Sequence, residues 1–375
     1  MMITKEGREN LTTCTYYSTD PLAEIGCFDA DSIAVKVSRI IPYVFIMAVS
    51  IAGNILVAVV VLRVRSMRKA INFFILNMAI SDLLITLVYM PRVVSILMAG
   101  YKWLSNGAAG LVFCKMVYFI HETALSVSIF SAVCISGERF LAVIRPLKSL
   151  ANKTKPARCL IFFSWTASVV IRLPILLANK TTKESCGNYY CELHLEDLFG
   201  AGSTVVYHKF NLIGMYATPL GVMVALYSAT IFTLRRHNRP GNTTAAEATS
   251  LPEILNRKVS RMVLVVITAF LLCWLLYFIV AVMQSYEVSI PCNVLYVRLL
   301  LAHFNCALTP VLYAVFSENY NRKFKSVLFG SSWFRKSRMR MRTRTFNMDH
   351  LDAKVGELGS RGLPRQRVET VTEVI

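Results

Sequence analysis

The sequence predicts an all-α membrane protein whose seven transmembrane helices form a bundle. Of its 375 residues, 55% are hydrophobic and 17% are charged, with a mean hydropathy of +0.51, which is more apolar than an ordinary soluble domain. The apolar residues gather in blocks of about 20 or more, the length that crosses a bilayer. The predicted spans are 38–62, 71–98, 112–137, 159–178, 205–234, 262–286 and 294–316.

Basic residues predict the orientation of these spans. The segments after spans one, three, five and seven are rich in lysine and arginine, and loops of this kind stay in the cytoplasm. The N-terminus and the loop between spans four and five then lie outside, together with the glycosylation sequons at Asn10 and Asn179. The net charge of +19 therefore reflects membrane topology and is no evidence for nucleic acid binding.

Cysteines on the outer side of this topology are expected to form disulfides, because that compartment is oxidising. They are Cys14, Cys27, Cys114, Cys186, Cys191 and Cys292. Six cysteines permit 15 pairings. Cys114 opens span three and is expected to pair with the loop that covers it, through Cys186 or Cys191.

Span two carries an acid in the middle of the membrane. Asp82 lies within LNMAISDLLITLV, where an unpaired carboxylate is costly, so it needs hydrogen-bond partners, a bound cation or a proton. The candidate partners are Asn54 in span one, Ser128 in span three and Asn305 in span seven. The simpler interpretation of such a residue is a satisfied packing contact.

Span three places three polar residues on one face. His121 and Arg139 are 18 residues apart, which is five helical turns, and Ser128 lies on nearly the same stripe. From His121 to Arg139 the helix rises about 27 Å, close to the hydrocarbon thickness of a bilayer. Arg139 and its neighbour Glu138 are therefore expected where the helix leaves the membrane on the cytoplasmic side.

Span six is rich in aromatic residues, whereas span seven contains several polar or helix-breaking ones. Span six carries an aromatic stripe at helical spacing, made of Phe270, Trp274, Tyr277, Phe278 and Ala281. By composition alone, such a stripe is more typical of a packed core than of a ligand wall. Span seven instead contains the polar or helix-breaking residues His303, Asn305, Thr309, Pro310 and Tyr313. A proline inside a helix frees a backbone carbonyl and permits a bend.

From about residue 42 to 325, these motifs resemble, in order, those of the rhodopsin-like (class A) G-protein-coupled receptors. They include GERFLAVIRP, CWLLY and TPVLY, and FSENYNRKFK is similar to the amphipathic eighth helix of that family. The marker residues are Asn54, Asp82, Cys114, Arg139, Trp165, Pro219, Tyr227, Trp274, Pro310 and Tyr313. The resemblance implies a receptor in the plasma membrane.

The domain organisation follows from the spans and this resemblance. Residues 1–37 are predicted to form an extracellular N-terminus, and residues 38–328 a receptor domain that includes the eighth helix. Residues 329–375 are predicted to form a cytoplasmic tail that is disordered and whose basic run holds anionic lipid.

The resemblance assigns activation to the Glu138–Arg139 pair. Arg139 is held by Glu138 at rest and is released to admit a heterotrimeric G protein, with Tyr227, Tyr313 and Pro310 supporting the change. A basic patch opening span six would contact the G protein or, equally, lipid headgroups, through Arg257, Lys258 and Arg261. Arrestin and receptor kinases are further partners that the family implies.

Three residues match the sodium site of the family: Asp82, Ser128 and Asn305. No other cofactor is expected. The chain also departs from the family pattern. Leu276 replaces the proline of CWxP, which removes the usual kink of span six, and Thr309 replaces an Asn or Asp, which weakens the polar link toward the sodium site. Asn256 stands where some members have an acid opposite the arginine. We therefore expect appreciable basal signalling.

Two residues narrow the ligand class. His121 stands where amine receptors of this family have Asp, and His303 where opsins have lysine, which disfavours an amine and excludes photoreception. A peptide fits best, because the second outer loop is long and acidic and the motifs are similar to those of galanin, opioid, somatostatin and cholecystokinin receptors. The alternatives are a lipid or a small acidic metabolite as ligand, or a non-signalling orphan of the same fold.

The resemblance also bears on the disulfides. Cys191 stands 28 residues before Pro219, a separation typical of those peptide receptors, so it is the preferred partner of Cys114. Cys27 and Cys292 would then tie the N-terminus to the third outer loop.

The expected ligand contacts are Arg92, His121, Glu122, Glu192, Trp274, Tyr277, Phe278 and His303. In the outer half, Arg92, His121, Arg172 and Arg298 would suit a carboxylate or an amide, whereas Glu122 opposes them. No set of residues with catalytic or metal-binding spacing is present, so an enzyme is not expected.

Overall fold

The computed structural model describes residues 27–28, 31–144, 154–183, 187–237 and 251–328, and of residues 154, 234–237 and 251–263 it describes the backbone alone. Seven helices in this part are long and apolar enough to cross a membrane, which confirms the predicted bundle. The predicted positions Asn10, Cys14 and Cys186, and the tail 329–375, lie outside the described residues.

The spans are continuous or nearly continuous helices. In chain order their bounds are Ile33–Arg63, Ala70–Ala99, Gly107–Ile144, Thr154–Ala178, Ser203–His237, Leu251–Ser285 and Cys292–Phe316. Spans three and six extend well beyond the predicted ranges, because hydropathy marks only the segment inside the bilayer. The hydrogen-bonded helix itself continues into water.

Two spans contain π-helical turns that the sequence did not predict. Ile85–Tyr89 interrupts span two, and Asn211–Ala217 interrupts span five. A π-helical turn changes the direction in which the following side chains point and often lies at a functional site. Tyr89 ends the first of these turns and Asn211 begins the second, and both side chains line the cavity described below.

A β-hairpin follows span four, and it too was not predicted. Strand β1, Asn179–Lys183, pairs antiparallel with β2, Tyr189–Leu193. The backbone N–H of Trp103 donates to the Tyr189 carbonyl at 2.6 Å, which joins the hairpin to the loop after span two.

The disulfide inferred from the resemblance is present in the structure, and so is the second pairing suggested beside it. Cys114 at the start of span three is bonded to Cys191 of β2, and Cys27 is bonded to Cys292, the first residue of span seven. We call the end of the bundle that carries these two disulfides the disulfide end. The other end, where Arg139 lies, is the opposite end.

Close helix packing explains why a glycine precedes Asn54 in span one. A Cβ atom on Gly53 would lie 2.5 Å from Cγ of Pro310, so spans one and seven approach as closely as a glycine allows. Asn54 then donates from Nδ2 to the Cys306 carbonyl at 2.9 Å. The main-chain carbonyl near the proline of span seven is therefore satisfied by a side chain from span one.

After span seven the backbone turns into another short helix. Residues 318–328 are helical, at the position where the resemblance implies the eighth helix. The compact unit that contains the bundle ends at Asn321, and Arg322–Ile375 forms a second unit. Within the first unit, the Tyr320 ring stacks on Tyr313 with 5.4 Å between centroids, and its hydroxyl donates to Asn72 at 3.2 Å.

Candidate functional site

A cavity opens at the disulfide end, between the spans and the β1–β2 hairpin. Its empty space, which includes open solvent at the mouth, is ≈ 1060 Å³. Aromatic residues cover much of its wall, among them Tyr277 and Phe278, which belong to the stripe of span six that composition alone favoured as packed core. The polar side chains on the wall are Glu122, Asn179, Glu192, His208, Asn211 and Arg298.

Glu122 is neutralised by an arginine behind the cavity wall. The Arg172 guanidinium is fully buried and lies 3.1 Å from Glu122 Oε2, which joins span four to span three. Arg172 also donates to three neutral oxygens, those of Ser126, Tyr207 and Asn211. The Tyr277 hydroxyl of span six donates to Glu122 Oε1 at 3.1 Å. Burying this charge pair is feasible because most of its polar atoms are hydrogen-bonded, and only Arg172 Nη2 has no partner among the described residues.

Arg298 of span seven lies on the cavity wall in a different setting. Its side chain is 5% exposed, and its Nη1 donates to the neutral Gln284 Oε1 at 2.7 Å. The guanidinium carbon is 5.7 Å from the centre of the Tyr277 ring, a cation–π contact. Among the described residues, no carboxylate pairs with Arg298.

The hairpin contributes an acid to the wall. Glu192 of β2 accepts a hydrogen bond from Thr182 at 2.8 Å and lies 3.5 Å from His194. Burial raises the pKa of Glu192, and the neighbouring His194 acts in the opposite direction. Asp197, further along the loop, accepts from Lys180 at 2.9 Å, and this contact lowers its pKa. The acids of this loop therefore have partners of their own.

Three predicted ligand contacts form a layer behind the cavity wall. The rings of His121, Trp274 and His303 are buried, and their centroids lie 5.6–6.4 Å from one another. Tyr89, positioned by the π-helical turn, stacks on His121 at 3.8 Å and lines the cavity in its place. His303 is hydrogen-bonded to Tyr43 of span one. These residues support the wall, and their contact with a ligand stays a prediction.

Arg92 organises the first loop of the disulfide end and does not line the cavity. Its guanidinium donates to the carbonyls of Tyr101 and Lys102 at 2.8 and 2.9 Å and lies 4.8 Å from the centre of the Trp103 ring. The carbonyls that follow span two accept from its two terminal nitrogens, and its Nε atom has no partner among the described residues. The structure therefore gives no support to Arg92 as a ligand contact.

The asparagine of the predicted sequon, Asn179, is buried, so a glycan at this position does not fit the fold. The Asn179 side chain is 3% exposed, lies on the cavity wall, and its Nδ2 atom has no partner among the described residues. A glycan needs an asparagine at the surface. The sequence motif records local residue types and contains no information about burial, which is why the prediction failed.

Two further wall residues come from span five and were missed. His208 and Asn211 are three residues apart on one face of the helix, and both are buried. An ionisable residue such as His208 within a span is a signal of function. The π-helical turn that directs Asn211 toward Arg172 has no such signal in the sequence.

At the opposite end, Glu138 and Arg139 form the pair that the resemblance implies for the resting receptor. Arg139 Nε donates to Glu138 Oε2 at 2.6 Å, and both side chains are buried. Near the same end, the Tyr227 hydroxyl is buried with no partner in the described part of the chain. The side chains of Arg257, Lys258 and Arg261 are outside the described residues, although their backbone is helical.

Asp82 is 1% exposed in the middle of the bundle, and its Oδ2 has no hydrogen-bond partner among the described residues. Its expected partners do not donate to it there: Asn54 donates to Ser50 and Cys306, and the Ser128 hydroxyl is itself unpartnered. Thr309 donates to the Asn305 carbonyl of its own helix at 3.0 Å. Among the described residues, buried oxygens therefore remain unsatisfied on three spans, those of Asn54, Asp82 and Ser128.

Sequence similarity agrees with this architecture. Residues 53–313 match the 7 transmembrane receptor (rhodopsin family) model. The chain is 32% identical to a QRFP-like peptide receptor of Branchiostoma floridae, over 78% of each chain. It is 29% identical to somatostatin receptor type 4 of Rattus norvegicus, over 76% of this chain and 71% of that one, and 29% identical to an allatostatin-A receptor of Bombyx mori, over 78% and 80%. The chain therefore belongs to the rhodopsin family of seven-transmembrane, G-protein-coupled receptors, and it is not an enzyme.

Proposed function

We propose that this receptor binds an extracellular peptide in the cavity of the disulfide end and activates a heterotrimeric G protein at the opposite end. The observation that carries the proposal is the cavity itself, which is lined by tyrosines and by charged groups on different elements. A wall of this kind suits a ligand with several separated polar groups and aromatic or aliphatic side chains. The names of the three relatives, each a receptor for a peptide, support the same ligand class.

The proposal includes an orientation in the plasma membrane. The disulfide end faces the extracellular side, where disulfides persist, and the N-terminus lies on that side. The opposite end, with the basic segments that adjoin spans one, three, five and six, faces the cytoplasm.

Signal transfer at the opposite end would act through the Glu138–Arg139 pair. The two residues are neighbours on one helix, so their ion pair spans no interface and can exchange partners without unfolding. The Tyr227 hydroxyl, which has no partner among the described residues, can accept a hydrogen bond from a released guanidinium. Arrestin, receptor kinases and anionic lipids are further partners proposed for this end, the lipids because of Arg257 and Lys258.

We also propose that a sodium ion binds in the middle of the bundle, at the site expected from Asp82, Ser128 and Asn305. The unsatisfied oxygens of Asp82, Ser128 and Asn54 are the hard ligands that such a cation prefers, and all three side chains are buried. Bound there, sodium would balance the Asp82 charge. The residues of this chain would hold it through the carboxylate and the serine hydroxyl.

The test of the proposed function is a screen for agonists. Cells expressing the receptor with a promiscuous G-protein reporter are exposed to a library of secreted peptides and, separately, to lipids and small carboxylic acids. We expect a peptide to give a signal that Arg139→Ala abolishes at matched surface expression. Activation by members of the lipid and acid panel alone would overturn the peptide assignment. A signal that persists in Arg139→Ala would overturn the coupling mechanism.

A further inference from the structure

The charged groups on the cavity wall are not compensated equally. Glu122 is paired with Arg172, and Glu192 lies between Thr182 and His194. Arg298 has only a neutral amide and an aromatic face beside it among the described residues. The wall therefore presents a cation that no carboxylate of the described residues balances.

A comparison of the two buried arginines shows that Arg298 lacks the carboxylate partner that Arg172 has among the described residues. Both side chains are at least nine-tenths buried, and both lie near the same tyrosine-rich region of the disulfide end. Among the described residues, Arg172 has a carboxylate 3.1 Å away and donates to three further oxygens, although its Nη2 atom has no partner. In the same part of the chain Arg298 donates to the neutral Gln284, and its Nε atom has no partner. A buried guanidinium without an anion is unfavourable. An anion that enters the cavity would remove that cost.

Other unpaired nitrogens lie on the same wall. Asn179 Nδ2 and His208 Nε2 are buried and have no partner in the described part of the chain. Asn179 Nδ2 can only donate a hydrogen bond, and His208 Nε2 can donate in one tautomer. The unmet hydrogen-bonding capacity of the cavity is therefore largely that of donors, which suits a ligand group rich in acceptor oxygens.

We propose that Arg298 binds a carboxylate of the ligand, and that this carboxylate is the free C-terminus of the peptide. Guanidinium and carboxylate form two parallel charge-assisted hydrogen bonds, a geometry that a carboxamide cannot reproduce. The inference rests on the proposed function, because it assigns one end of the proposed peptide to one residue of the cavity. It distinguishes this receptor from one that recognises an amidated C-terminus.

The experiment uses a synthetic peptide library in which every sequence is prepared twice, as the C-terminal carboxylate and as the C-terminal carboxamide. The full-length receptor and three variants are compared at matched surface level: Arg298→Gln, Arg298→Lys and, as a control, Arg39→Gln. Arg298→Gln removes the positive charge but keeps a side-chain amide that can donate a hydrogen bond to Gln284. Arg39 is an arginine of the same end, but it pairs with Asp31 and is not on the cavity wall.

We expect the carboxylate form of an active peptide to be more potent than its carboxamide by about tenfold or more, the scale of one charge-assisted contact. Arg298→Gln should reduce that ratio to near unity by weakening the carboxylate form alone. Arg298→Lys should keep part of the preference, and Arg39→Gln all of it. If the two forms are equally potent and only replacing an Asp or Glu of the peptide with Asn or Gln shows the dependence on Arg298, the C-terminal assignment is overturned and Arg298 keeps its role as a carboxylate site.

The remaining outcomes separate this inference from the proposed function. An active peptide that is equally potent in both forms, and that tolerates loss of its acidic side chains, would overturn carboxylate recognition and leave the peptide receptor intact. If only a non-peptide carboxylic acid activates the receptor and Arg298→Gln abolishes that activation, the peptide assignment is overturned and the carboxylate site at Arg298 is retained. If the only agonists act equally on wild type and Arg298→Gln, the role of Arg298 is refuted whatever their class.

Discussion

The buried ion pair between Glu122 and Arg172 should be the strongest electrostatic contact at the disulfide end. Its 3.1 Å separation is close to the 2.9 Å of the Lys180–Asp197 pair on the surface loop. The two pairs differ in burial: Arg172 is fully buried, whereas the side chains of Lys180 and Asp197 are about half exposed, at 47% and 51%. Comparing them isolates the effect of burial at nearly constant distance.

Arg172→Met should destabilise the receptor by about 3–5 kcal/mol, because it leaves the Glu122 charge buried without a partner. The three neutral oxygens that Arg172 bonds lose their donor as well, which places the expected loss toward the upper part of that range. For a folded unit of this size, about 2 °C of melting temperature corresponds to each kcal/mol. The expected decrease is therefore about 6–10 °C.

The assay is a double-mutant cycle on the purified receptor, followed by thermal unfolding. Arg172→Met, Glu122→Gln and the double variant are compared with wild type, and the double variant should lose much less stability than the sum of the two single changes. The control cycle uses Lys180→Gln and Asp197→Asn, for which the two changes should be additive within error because the pair is screened by water. Equal coupling in the two cycles would refute the argument from burial.

Four further outcomes are expected. Cys27→Ser combined with Cys292→Ser should lower the thermal stability of the receptor by about 2–4 kcal/mol, and an unchanged melting temperature would show that this disulfide constrains little. Sodium chloride should raise the melting temperature above that in N-methylglucamine chloride, and Asp82→Asn should remove the difference. Asn179→Gln should leave the shift on glycosidase treatment unchanged, since the side chain is buried. Tyr277→Phe should raise ligand-free second-messenger output at matched surface expression, because it removes a hydrogen bond between spans six and three.

Much of the architecture could be predicted because it depends on hydropathy summed along the chain and on contacts between residues that are adjacent in sequence. A membrane span is a sum of hydropathy over about 20 residues, so all seven were found even where their ends were not. The Glu138–Arg139 pair joins adjacent residues, and its contact follows from the sequence directly. The link from Cys114 to Cys191 was inferred from spacing that the family shares.

The cavity could be predicted only in part, because its electrostatics depend on contacts between distant residues. Glu122 and Arg172 are 50 positions apart, and nothing in either segment indicates which of the basic residues neutralises the acid. Tyr89 ends a π-helical turn and stacks on His121, and no residue pattern in the sequence indicates that the backbone forms this turn. The burial of Asn179 likewise follows from the hairpin, which hydropathy does not reveal.

The distribution of charge divides the disulfide end into two parts that are held with different strength. Glu122 and Arg172 lock span three to span four and, through hydrogen bonds, to span five. Span six is joined to this group by weaker contacts: the Tyr277 hydroxyl on Glu122, worth about 1.5–3 kcal/mol as a bond to a charged group, and the Tyr216 hydroxyl on a neutral carbonyl at 2.7 Å. A ligand that binds Arg298 on span seven and the wall of span three bridges that division. Because breaking the buried ion pair costs more than breaking the tyrosine contacts, movement caused by the ligand should occur in spans six and seven, while spans three to five stay in place.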